Sequence, residues 1–113
     1  MPLVGNGDFA IKVVGESFYD QNLRELCGPA EDHVRQFAKT AILTLENDNP
    51  YDRNVVRVDI DGLTVGRLSR LDARRFREAC TGRSANQFEC AALLISLRGD
   101  AASDYGVCLE LYV

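Results

Sequence analysis

A chain of 113 residues and 12.5 kDa has room for one domain, taken here as 1–113. Hydrophobic residues make up 46% and charged residues 27%, which sets aside disorder as the main state. No apolar run approaches the ~20 residues of a membrane span. The opening MPLVGNGDF has neither the basic start nor the apolar stretch of a secretory leader, so the expected location is cytoplasmic and no membrane partner is expected.

The formal net charge of −4 argues against a uniformly basic nucleic-acid protein, but the charge is unevenly spread. Arg67, Arg70, Arg74, Arg75, Arg77 and Arg83 fall within seventeen residues that hold only two acids, Asp72 and Glu78, a local charge of +4. The rest of the chain carries seven basic and fifteen acidic residues, or −8. Cys27, Cys80, Cys90 and Cys108 form no close pair, and His33 is the one histidine. Zinc sites usually show close ligand pairs, so the cysteines read as thiols with apolar habits. No metal or other cofactor is expected.

In chain order, residues 9–15 (FAIKVVG) are rich in strand formers. A short helix follows from Tyr19 to Cys27, with Asp20 and Asn22 as candidate caps and Gly28-Pro29 as its stop. Residues 36–45 read as a strand apolar on both faces. The cluster ENDNPYDR (46–53) is a dense turn signal. Residues 54–60 alternate, with Val56, Val58 and Ile60 on one face and Val55, Arg57 and Asp59 on the other. Asp61-Gly62 is a strong two-residue hairpin signal leading into a strand over 64–67. Ser69 with Asp72 three residues on opens a helix over 70–80 that buries Ala73, Phe76 and Cys80. Residues 87–98 and 106–113 are the last strands. The order β-α-β-β-β-α-β-β predicts a mainly β fold, a small barrel or curled sheet of about six strands with two short helices at its edges.

The unusual stretch is Asp48-Asn49-Pro50-Tyr51-Asp52-Arg53-Asn54. Turn chemistry accounts for its Asn, Asp and Pro. It does not account for Tyr51, a ring flanked by polar groups that suits base stacking. Three blocks, VVGESFY (13–19), DNPYDRNVVRVDIDG (48–62) and VGRLSR (65–70), resemble the HIRAN domain in order and spacing. The resemblance covers roughly residues 10–78 and implies an OB-like barrel without catalytic chemistry of its own. It also implies capture of single-stranded DNA at its 3′ end in a DNA-repair setting, beside helicase or nuclease proteins.

Carried over residue by residue, the resemblance implies that Tyr51 stacks on the terminal base and Asp52 accepts a hydrogen bond from the free 3′-hydroxyl. Arg67 and Arg70 would contact phosphates, for which a guanidinium fork is well shaped. Arg53 and Asn54 adjoin the pair. The chain departs from the DNA-binding members on its first strand. There Ile11-Lys12-Val13-Val14-Gly15 supplies no arginine and no aromatic ring, leaving Lys12 as the remaining cation. Arg74, Arg75 and Arg77 are expected to form a solvated face paired with the acidic body. Tyr19 is expected to be a half-buried anchor of the first helix, and Glu16-Ser17 to order the turn before it. The competing reading is a protein-interaction or structural module that keeps the barrel without a nucleic-acid face. A third, an end-hydrolysing enzyme, requires a metal held among Asp48, Asp52, Asp59 and Asp61.

Overall fold

The structure, a computed structural model, describes residues 11–46, 54–82, 84–99 and 104–110. The elements are β1 (Ile11–Val14), a 3-10 turn (Glu16–Tyr19), α1 (Asp20–Cys27), β2 (Arg35–Leu45), β3 (Val56–Ile60), β4 (Leu63–Leu68), α2 (Arg70–Ala79), β5 (Gln87–Ser96) and β6 (Tyr105–Leu109). The strands close into an antiparallel barrel in the order β1-β4-β3-β2-β5-β6, a small OB-like barrel as expected. Closure pairs the first strand with the last, Ile11 opposite Leu109 and Lys12 opposite Cys108.

Alternation drives the strands. Val56, Val58 and Ile60 are fully buried, as are Ala41 and Leu43 opposite them. Phe88, Cys90, Ala92 and Leu94 line the same interior from β5, and Val107 and Leu109 from β6. All four cysteines are reduced; Cys27, Cys80 and Cys90 are buried and Cys108 is half-buried. Burial in apolar surroundings, with the Glu110 carboxylate nearby, pushes the Cys90 thiol up to about 12. No helix among the described residues is long and apolar enough to cross a membrane.

The β3–β4 hairpin turns at Asp61 and Gly62, whose φ values of 51° and 80° are the positive pair a two-residue primed turn needs. Further along, the ladder shifts. Val58 pairs with Gly66 but Asp59 pairs with Thr64, so Val65 is an extra residue on β4. This bulge changes the phase of the strand. Val65 and Leu68, three apart, both face the core, and Arg67 between them faces out. Gly66 sits where β1 crosses most closely: a Cβ there would lie 2.4 Å from Val13 Cγ1 and 2.6 Å from the Val14 carbonyl oxygen.

The helices attach at opposite ends of the barrel. At one end Leu23 and Cys27 of α1 join the core, and the Tyr105 hydroxyl donates to the Gly28 carbonyl at 2.8 Å. The helix starts without a side-chain cap. Asn22, expected to cap it, instead donates its amide to the Thr64 carbonyl at 2.8 Å, because one turn inside the helix it faces β4. At the other end Ser69 caps α2 by accepting the Asp72 amide at 3.2 Å, as expected. Phe76 and Phe88 meet edge to face, 5.4 Å between centroids. Ala73, Phe76 and Cys80 are buried, as their spacing predicts.

Candidate nucleic-acid interface

The antiparallel register lays a row of residues across the outer face of the barrel. Val14 on β1 lies opposite Arg67 on β4, Arg67 opposite Arg57 on β3, Arg57 opposite Thr44 on β2, and Thr44 opposite Gln87 on β5. Two arginines therefore stand side by side at the centre of the sheet. Like charges directly opposite one another destabilise a sheet, so this arrangement calls for a counter-charge.

Half of that counter-charge is internal. Arg57 Nε donates to both Asp59 oxygens, at 3.1 and 3.2 Å, and Asp59 also accepts the Thr64 hydroxyl at 2.8 Å. Asp59 is thus engaged with its neighbours. Asp61, which the metal reading grouped with it, pairs with Lys39 at 3.2 Å. No group of three or more His, Cys, Asp or Glu side chains suited to a metal gathers among the described residues. Arg67 is exposed. Its guanidinium leans toward β1, where a Cβ on Gly15 would lie 3.4 Å from Nη1 and 3.9 Å from the Phe18 ring.

A groove of about 610 Å³ runs along this face, lined by Arg57, Arg67, Ser69, Arg70, Tyr19 and Glu46 among others. Five segments supply these groups: the turn before α1, the end of β2, β3, β4 and the first turn of α2. The phase change at Val65 is what delivers Arg67 to it, and the Ser69 cap sets the direction in which Arg70 leaves the barrel. Tyr19 is half-buried, as expected, but it also forms part of the groove wall.

Of the residues singled out from sequence, Arg67 and Arg70 are brought together here. Lys12 is exposed on β1, paired across to β6 rather than β4, and lies outside the groove lining. Tyr51, Asp52 and Arg53 lie outside the described residues, as do Leu111 and Val113. The flanks of the segment carrying Tyr51 and Asp52 are described: Glu46 and Val55 both line the groove, and Asn54 is exposed beside it.

Two features were missed in the sequence. Phe18 is 79% exposed on the 3-10 turn, next to Arg67. It is an exposed aromatic ring near the groove, where β1 itself supplies none. Its signal was the SFY triplet, in which one ring goes to the groove wall and the other to solvent. The second is Arg77. It was expected to pair with acids on a solvated face, but it is half-buried and donates to three backbone carbonyls: Asn54 at 3.0 Å, Val55 at 2.8 Å and Glu46 at 3.1 Å. A guanidinium can satisfy several carbonyls that converge on one plane, and these converge because β2 and β3 are neighbours. Arg74 and Arg75 are exposed.

These features define a small closed antiparallel barrel carrying an aromatic- and arginine-lined groove on one face. Comparison with known families, with curated proteins and with solved structures returned no match.

Proposed function

We propose that this protein is a non-enzymatic module that binds single-stranded nucleic acid, in particular the 3′ end of a DNA strand. The observation that carries this reading is the groove, which brings Arg67 and Arg70 together with the Tyr19 ring, while the exposed Phe18 ring lies across Gly15 from the Arg67 guanidinium. Guanidinium forks hold phosphate oxygens, and rings stack on bases of any sequence. The resemblance of the three sequence blocks to the HIRAN domain supports the same reading and adds Tyr51 as the ring on the terminal base. It makes Asp52 the acceptor for the terminal hydroxyl. A carboxylate there favours a hydroxyl end over a phosphate end by simple charge repulsion.

The test is fluorescence anisotropy at low salt with three labelled oligonucleotides: a single strand ending in a free 3′-hydroxyl, the same strand ending in a 3′-phosphate, and a blunt duplex. Tightest binding of the free 3′-hydroxyl, weakened by Tyr51→Ala and by Asp52→Ala in folded variants, is the expected result. Equal binding of both single strands reduces the site to a general phosphate groove. Absence of binding to all three overturns the reading in favour of a protein-interaction module, which the acidic charge outside residues 67–83 would then suit.

A further inference from the structure

We infer that Arg57 is a phosphate-binding residue, a fork held ready by Asp59 beside Arg67. This rests on the proposed nucleic-acid reading and extends its site to a residue on β3.

Arg57 lines the groove together with Arg67 and Arg70, and its side chain is 38% exposed. Asp59, more buried at 18%, engages only its Nε. Among the described residues the two terminal amino groups of Arg57 make no hydrogen bond, so the outer edge of the fork is presented to the groove. A long arginine side chain ordinarily loses rotamer freedom when it grips a ligand. Here Asp59 has already fixed it, and the Thr64 hydroxyl in turn fixes Asp59.

Charge points the same way. Arg57 and Arg67 are direct cross-strand partners, and Asp59 can neutralise only one of them. The groove lining carries Arg57, Arg67 and Arg70 against the single carboxylate of Glu46, so a bound phosphodiester meets a net positive lining. A structural role for Arg57 alone would need no second arginine opposite it. Arg67 leans away toward Gly15 and Phe18 while Arg57 is held toward Asp59. The two forks thus start from neighbouring positions on β3 and β4 and point apart, and a nucleic-acid backbone laid along the groove meets both.

The experiment measures binding of the labelled single strand across a salt series for the parent, Arg57→Gln, Arg57→Lys and Arg67→Gln, each with its thermal midpoint. Arg57→Gln is expected to weaken binding about ten-fold, the size of one charge-assisted contact. It should also lower the log–log salt slope by ~0.7, the value for one phosphate on a single strand. Arg57→Lys is expected to keep the slope and lose affinity, because it keeps the charge without the fork. Addition of inorganic phosphate, at ionic strength matched with chloride, separates a strand backbone from a free anion. Retained strand binding supports the inference, and displacement at millimolar phosphate overturns it in favour of a small-anion site. The inference is also overturned if Arg57→Gln leaves affinity and slope unchanged while Arg67→Gln reduces both. If the parent binds no strand at all, it is the broader nucleic-acid reading that fails.

Discussion

Gly66 shows how narrowly a single residue can be specified. Its neighbours leave no room for a side chain: Val13 Cγ1 and the Val14 carbonyl both lie closer to a Cβ position than any real Cβ contact. One of the two is backbone in a paired strand, so relief requires β1 to move off β4. Gly66→Ala is therefore expected to cost roughly 3 kcal/mol, at the upper end for overpacking. The check is the urea midpoint, which should fall with m unchanged. A neighbouring residue links the fold to pH. Glu16, in the turn after β1, has its carboxyl held above its ordinary value of 4.5 by burial, only partly opposed by backbone amides, including that of Val107, and by Lys12. The native state thus binds this proton more tightly than the unfolded chain does. Its contribution is complete below 4.5 and is lost as pH rises through the higher folded-state value. Glu16→Gln, which keeps an acceptor for the amides, should flatten stability against pH in that window. Titration of the urea midpoint from pH 3 to 7 in both proteins decides it; an unchanged profile in the variant would place the dependence elsewhere.

At the scale of elements, α2 does more than close one end of the barrel. Phe76 anchors it to Phe88, and Arg77 on the adjoining face ties together the end of β2 and the entry to β3 through three carbonyls. Removing that guanidinium leaves half-buried carbonyls short of a donor, at about 2 kcal/mol for a charge-assisted group of this kind. Arg77→Ala should accordingly lower stability by that amount. It should also speed hydrogen exchange at the Glu46 amide, which donates to the Val55 carbonyl at 2.9 Å, more than at amides in the middle of β2. Uniform acceleration across β2 would instead mean general destabilisation. The elements themselves were largely legible. Alternation found β2, β3 and β5 to within two residues at each end. Ser69 with Asp72 marked the start of α2, and Gly28 marked the stop of α1. The start of α1, read at Tyr19, falls at Asp20; what was misjudged is its capping, because Asn22 is as good a cap as it is a cross-element donor, and local sequence does not say which carbonyl will be nearby.

Over the whole molecule, the decisive event is closure. β1 must find β4 and β6, pairing Val13 with Leu68 and Ile11 with Leu109, and contacts this distant in sequence slow folding. Refolding is expected on the millisecond-to-second scale of all-β barrels; a microsecond phase carrying the full amplitude would show that the seam is not needed for the folded signal. The same closure creates the groove. Arg57, Arg67, Arg70 and Tyr19 are scattered over fifty residues, and they share one face because β4 sits between β1 and β3.

The amino-acid order by itself determined the element types, the buried faces and the barrel class, since period-2 alternation, turn residues and helix caps act within a few residues of one another. It also marked Arg67 and Arg70 within a basic run. Tertiary structure alone decided which way Arg67 faces, because the bulge at Val65 depends on how β3 and β4 align. It decided that Arg57 stands opposite Arg67, since register is a property of two strands and not of either. It turned Arg77 from a surface charge into a tie between strands and left Phe18 in water, because those outcomes depend on which carbonyls and which surfaces arrive beside each side chain once the barrel has closed.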